Sequence, residues 1–310
     1  MKVQNKIIKR LRVPLLFLVV LISSCSDDYD ISNPIGDGDQ KSIVMSFQMP
    51  RTSTPSEKRT RAIQEADENT IKTIDVLAFK EDGNGDWVYT YKTKGENITN
   101  VGTTVNQKQF SVKVNIESYP QQFVLIANES SSIDNISETD VGTEKETLLQ
   151  ELTFSNSGIW NATESDNFKP FPMWGESEPE VITKNTKQLK KSVPVLKGLL
   201  RVDIALAESV KNFELKEVYI YNTKSKGYIV PKAENMDYTT FKVTKAQVPA
   251  GPHNDYDEAT PNEKALKYTI NNPKLIEKSI YLMEATAPTE AADDWKKATC
   301  FVVGGEYNGT

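Results

Sequence analysis

Two cysteines, Cys25 and Cys300, are the only thiols in this 310-residue chain, and their settings give them different chemistry. Cys25 directly follows Ile22-Ser23-Ser24, at the end of the apolar run Val13–Ile22 and behind the basic segment Met1–Arg12. Small residues before a thiol, closing an apolar stretch too short to span a membrane, resemble a bacterial lipobox, which implies that a signal peptidase cuts before the cysteine and that the cysteine is acylated. If Cys25 carries lipid, Cys300 has no intrachain disulfide partner, and neither cysteine stands in a C-x-x-C metal spacing. Arg51–Arg61 (RTSTPSEKRTR) offers a second reaction. It is polar, basic and contains proline, which predicts an exposed loop open to proteolysis.

The remaining reactive residue types form no catalytic set. His253 is the single histidine, lies in the polar stretch 249–262, and has no G-x-S-x-G elbow or other nucleophile motif beside it. Asp82, Asn84 and Asp86 match the opening of a calcium loop. Trp87 stands where that loop requires glycine and Thr93 where it requires a bidentate glutamate, so Glu81–Asp86 reads as a hairpin turn. G-x-G-x-x-G and P-loop signatures are absent. The sequence thus points to no enzyme, no cofactor and no metal. Trp87, Trp160, Trp174 and Trp295 read as core residues, and their competing use is a sugar-stacking platform on a surface glycan-binding lipoprotein.

Charge narrows the partners. The five basic residues ahead of Cys25 meet no acid, and without them 32 basic residues face 43 acidic ones, a net charge of −11. So acidic a mature chain excludes nucleic acid as a partner, since phosphate contacts need clustered Lys and Arg.

The elements follow from periodicity. Ile43, Met45, Phe47 and Met49 alternate with Val44, Ser46 and Gln48, the pattern of a half-buried strand, and Pro50 ends it. This strand is isolated between linkers and reads as detachable. Further strands are predicted at Thr73–Phe79, Trp87–Tyr91, Phe110–Ile116 and Phe123–Ala127, with one short helix over Thr143–Leu152 and a strand or tight turn at Phe171–Gly175. A Lys-, Glu- and Thr-rich stretch, Glu176–Lys191, marks a domain boundary. Beyond it, Leu200–Leu206 alternates cleanly, Phe213–Asn222 is expected to pair with Tyr228–Val230 across the Lys224–Gly227 turn, and Ser279–Ala285 and Thr299–Val303 read as later strands. The class is mostly β, with antiparallel sandwiches the default architecture.

Several stretches in order resemble the major fimbrial subunit (fimbrillin) family of Bacteroidetes. They are the lipobox ending at Cys25, Thr60-Arg61-Ala62, Ile71–Phe79, Val124–Asn128 and Phe171-Pro172-Met173, then Leu200-Arg201-Val202, Val218–Asn222 with Gly227 and Pro231, and Val302–Tyr307. Ser26–Asp30 also resembles the acidic signal that sends lipoproteins of these bacteria to the outer surface. The resemblance implies two transthyretin-like antiparallel β-sandwich domains in tandem. Its division of the chain is a lipoprotein signal peptide (1–24), an acidic tether (25–42), an N-terminal domain (43–184) with first strand 43–49 and cleavable loop 50–62, and a C-terminal domain (185–310). It further implies lipid on Cys25 anchoring the chain to the outer membrane, and cleavage after Arg61 by an Arg-specific protease. Loss of the strand bearing Ile43, Met45, Phe47 and Met49 would then let another fimbrial subunit's strand fill the groove. The basic loop ending at Arg61 favours a polymerising shaft subunit over a non-polymerising anchor or tip subunit. The family's last strands and donor segment are expected beyond Thr310.

Overall fold

A computed structural model describes residues 39–50, 68–162, 167–254, 264–289 and 294–308. Cys25, the signal segment, and Arg61 and Ala62 with most of their loop lie outside these residues. The chain runs through β1 (Gln40–Gln48), β2 (Ile74–Glu81), β3 (Trp87–Val101), β4 (Thr104–Asn115), β5 (Gln121–Ala127), β6 (Thr153–Ser155), β7 (Met173–Glu176) and β8 (Val193–Lys197). Two short helices, α1 (Ser130–Asp134) and α2 (Lys145–Gln150), fall between β5 and β6. The second half carries β9 (Leu200–Ala205), β10 (Phe213–Tyr221), β11 (Lys226–Tyr228), β12 (Met236–Asp237), β13 (Lys242–Val243), β14 (Leu266–Thr269), β15 (Leu275–Leu282) and β16 (Cys300–Tyr307).

The class is mostly β, and the described residues form one closed barrel and several small sheets, without a clear division into two sandwiches in tandem. Seven strands close into one barrel in the order β1-β4-β3-β2-β5-β7-β8. Closure comes from a parallel contact of β1 with β8, Phe47 opposite Val193 and Gln48 opposite Pro194. It consumes both open edges of the sheet, which would otherwise expose unpaired backbone groups. The last barrel strand therefore comes from beyond residue 184. Gly175 makes the neighbouring β7–β8 contact possible: a Cβ there would sit 2.3 Å from the Pro194 carbonyl oxygen. In β2, Ile74 to Phe79 are all buried, since the barrel core covers one face and the α1 side of the chain the other.

The second half has its own apolar cluster, with Leu215, Val218 and Ile220 of β10 against Tyr268 of β14 and Ile276, Ile280 and Leu282 of β15. Here β10 lies between β14 and β16, while β9 pairs with β15. One expectation needs correction. The Phe213–Asn222 segment does not pair with Tyr228–Val230, because β11 instead joins β6, Gly227 opposite Phe154. Only glycine allows this: a Cβ at 227 would lie 2.8 Å from the Phe154 ring. In β9, Leu200 is 56% exposed.

Candidate functional site

The site is the slot that β1 occupies. Ile43, Met45, Phe47 and Met49 are each no more than 1% exposed, whereas Val44 between them is 37% exposed. The alternation in the sequence is thus the alternation of the barrel wall. β1 lies antiparallel on β4 over nine residues, with Ile43 opposite Val112 and Met45 opposite Phe110. The rings of Phe47 and Phe110 stand 6.0 Å apart at a tilt of 58°. The other edge is also occupied: Val44 donates its N–H to the Lys187 carbonyl (2.9 Å) and accepts from the Leu189 N–H (3.1 Å). The last bond of the strand runs from the Met49 N–H to the Asn106 carbonyl (2.9 Å).

A buried polar chain fixes the other end of the slot. The Tyr91 hydroxyl donates to Gln121 Oε1 (2.9 Å) and accepts from the Asn115 N–H (3.0 Å), and Gln121 Nε2 donates to the Asn115 carbonyl (2.9 Å). Burial pushes the Tyr91 phenol well above its usual range, so it stays a donor at any physiological pH. Gln40 at the start of β1 donates to Asn115 Oδ1 (3.3 Å), tying strand and network together.

Past the loop that contains Arg61, the chain is fastened independently of β1. Glu68, 5% exposed, accepts from Arg201 Nη1 (2.8 Å) and the Tyr281 hydroxyl (3.0 Å), with Lys197 Nζ at 3.4 Å. Burial pushes the Glu68 carboxyl up. The Arg201 hydrogen bond, the Lys197 and Arg201 charges and the Tyr281 hydroxyl outweigh this and hold it below the usual carboxylate range. Asn128, at φ 64°, forms a second fastening. Its Oδ1 accepts from the Lys72 N–H (2.8 Å), and its Nδ2 donates to the Thr70 (2.9 Å) and Phe171 (2.8 Å) carbonyls. Asparagine tolerates this left-handed backbone better than most residues, which suits it to the hub.

The structure thus brings Ile43, Met45, Phe47 and Met49 into one slot; Cys25, Arg61 and Ala62 lie outside the described residues. Asp82 forms a turn, its Oδ1 accepting from the Asn84 (2.8 Å) and Asp86 (3.0 Å) N–H groups, and these bonds lower its carboxyl's pKa. Among the described residues no group of three or more His, Cys, Asp or Glu is placed to hold a metal ion, and no helix is long and apolar enough to cross a membrane. His253 meets backbone groups, the Ser225 N–H at Nδ1 (3.4 Å) and the Pro249 carbonyl at Nε2 (3.2 Å). Trp160 and Trp174 are buried, so they cannot join a four-indole sugar platform. Glu68, Lys197, Arg201 and Tyr281 carried no site signal in the sequence. Asn128 alone was hinted at, as the polar residue ending the apolar run Val124–Ala127.

Comparison with known proteins follows this geometry. Residues 43–195 match the family model described as major fimbrial subunit protein (FimA). No curated protein matches the chain. Among solved structures, the tip fimbrial protein Mfa3 from Porphyromonas gingivalis with C-terminal truncation is similar at 12% identity, covering 86% of this chain and 81% of that one, with a TM-score of 0.49. A fimbrial assembly protein from Parabacteroides distasonis is similar at 12% identity, covering 80% of this chain and 88% of that one, with a TM-score of 0.41.

Proposed function

We propose, from the match of residues 43–195 to the family model described as major fimbrial subunit protein (FimA), that the chain is a structural subunit of a cell-surface fimbrium, working with other fimbrial subunits and tied to the outer membrane by lipid on Cys25. It is not an enzyme. The observation that carries the reading is β1, an isolated strand bonded on both edges whose four inward side chains fill a slot of the barrel wall. A barrel completed by its own strand is a closed unit. This favours an accessory position, at the tip or the anchor, over a place in a self-polymerised shaft.

The shaft reading has its own support. Glu68 and Asn128 fasten the chain from residue 68 onward without help from β1. A cut after Arg61 would therefore free Gln40–Gln48 and leave the rest of the barrel in place. Another subunit's strand would enter the vacated slot by β-augmentation. Until the cut, covalent continuity keeps β1 at high effective concentration and suppresses exchange.

Immunogold electron microscopy of producing cells, with antibody against this chain, separates the readings. Label at fimbrial tips or bases is expected, and label along the length would support the shaft. Surface label that never coincides with fimbriae would overturn both.

A further inference from the structure

In the second half of the chain, one sheet is left open along an apolar strand. β16 is an edge of the sheet β14-β10-β16: one side pairs with β10, and among the described residues no strand pairs with the other. Its register sets Phe301 opposite Ile220 and Val303 opposite Val218. Directly opposite residues share a face of the sheet, so Phe301 and Val303 continue the face on which Val218 and Ile220 are fully buried. The apolar cluster that buries those two does not reach them, and Phe301 is 40% and Val303 43% exposed. Val302, on the other face, is 48% exposed. Three consecutive apolar residues therefore meet water on both faces of one edge strand.

Other edges in this half are guarded. β14, at the far side of the same sheet, is only four residues long and carries Lys267, ion-paired to Glu217 at 2.8 Å. β9, paired with β15 alone, carries Arg201 and Asp203. Shortness and charge of this kind discourage pairing with another chain. From Cys300 to Gly305, β16 has no charge and no proline. Its charges lie at its two ends and are opposite in sign. Lys296 and Lys297, both exposed, stand just ahead of it, and Glu306, exposed and 3.3 Å from Lys216, stands near its end.

We propose that β16 is an interface to a second copy of this chain, the two strands pairing antiparallel about a twofold axis at Val302. The segment is self-complementary in that direction. Val302 then meets the partner's Val302 on one face, and on the other Phe301 meets the partner's Val303 while Val303 meets the partner's Phe301. Each pair covers apolar surface that both copies leave wet. The same pairing sets Glu306 one position from the partner's Lys297, so the ends attract, whereas a parallel arrangement would bring like charges together. This sign pattern favours a second copy over an arbitrary extended strand. The dimer has one continuous six-stranded sheet, β14-β10-β16 followed by its twofold mate, and β1 stays in its barrel.

Two arms test this. Sedimentation of the full chain carrying Cys25→Ala, which removes the lipid, should show a dimer; a chain that stays monomeric at about 0.1 mM overturns the proposal. Val302→Lys and Val302→Glu each set a charge against its own copy and should weaken the dimer at least about tenfold. An equimolar mixture of the two variants should recover it. Variants that dimerise like the parent overturn β16 as the interface, and a mixture that stays monomeric overturns the axis at Val302. The second arm introduces no charge, so it decides even where the charged variants misfold. In producing cells, the full chain with Cys300→Ser and Val302→Cys should run as a disulfide-linked dimer on a non-reducing gel, and Cys300→Ser alone should not. Absence of the linked dimer, or its presence in both, overturns the pairing.

Discussion

Replacing Phe47 with alanine removes the largest side chain that β1 sends into the barrel. Phe47 is 1% exposed and packs on Phe110 at 6.0 Å, and its strand closes the barrel by pairing with Val193. Large-to-small changes of buried phenylalanine cost about 3–5 kcal/mol, the lost transfer energy plus the cavity left behind. The whole set of four inward side chains contributes at most about 6–12 kcal/mol, at roughly 1.5–3 kcal/mol each. Phe47 alone is therefore a large share of what holds the strand, and a large share of a typical net stability of about 5–15 kcal/mol. At about 2–4 °C per kcal/mol, the melting temperature should fall by roughly 6–20 °C. Val44→Ala, on the solvent face of the same strand, should cost no more than about 1 kcal/mol, since Val44 is 37% exposed. Differential scanning calorimetry measures both variants. A Phe47→Ala loss below about 1 kcal/mol, or equal losses for the two variants, would refute the claim that the inward face of β1 holds the barrel closed. The Phe47→Ala/Phe110→Ala cycle should show a coupling of about 0.5–1.5 kcal/mol from the ring contact.

Acid should unfold the chain partly through Glu68. Its carboxyl is held below the usual range in the folded state, so its contribution is present above the unfolded value of about 4.3 and is lost as pH falls through the lower folded value. Glu68→Ala should remove that part of the acid limb in a melting-against-pH series and cost about 3–5 kcal/mol near neutrality, because Arg201 and Lys197 lose a buried counter-charge; an unchanged acid limb would count against the network. Cys25→Ala should move the precursor from the membrane to the soluble fraction, and lipid analysis of the wild type checks the acylation directly. Arg51→Ala, Arg59→Ala and Arg61→Ala together should leave this loop uncut and the chain unpolymerised under an Arg-specific protease, whereas wild type should release β1; equal polymer ladders on a gel from both would refute cleavage in this loop. Chelator should leave the melting temperature unchanged, and a large drop would redirect attention to Asp82, Asn84 and Asp86.

Strands whose partner faces impose a simple period were legible in the sequence. β1 was readable because one face is buried and the other wet, which forces the alternation Ile43, Met45, Phe47, Met49. The β2–β3 hairpin was readable because its turn chemistry is local: Asp82 satisfies backbone donors two and four residues ahead. The β10–β11 hairpin failed for the opposite reason. The Lys224–Gly227 turn looked sufficient, but β11 is claimed by β6, whose Phe154 ring lies against Gly227. Trp174 read correctly as core, yet nothing near it in sequence announced Phe241 as its stacking partner.

The amino-acid sequence by itself determined which residues of the first strand face inward, where that strand ends, and the mostly β class, because periods of two and proline stops act over a few residues. Tertiary structure alone decided that the sheet closes into a barrel through β1 and β8 and that Glu68 meets Lys197, Arg201 and Tyr281. Those contacts join residues far apart along the chain, and a charged residue such as Glu68 or Arg201 carries the same local pattern whether it ends in water or in a buried pair.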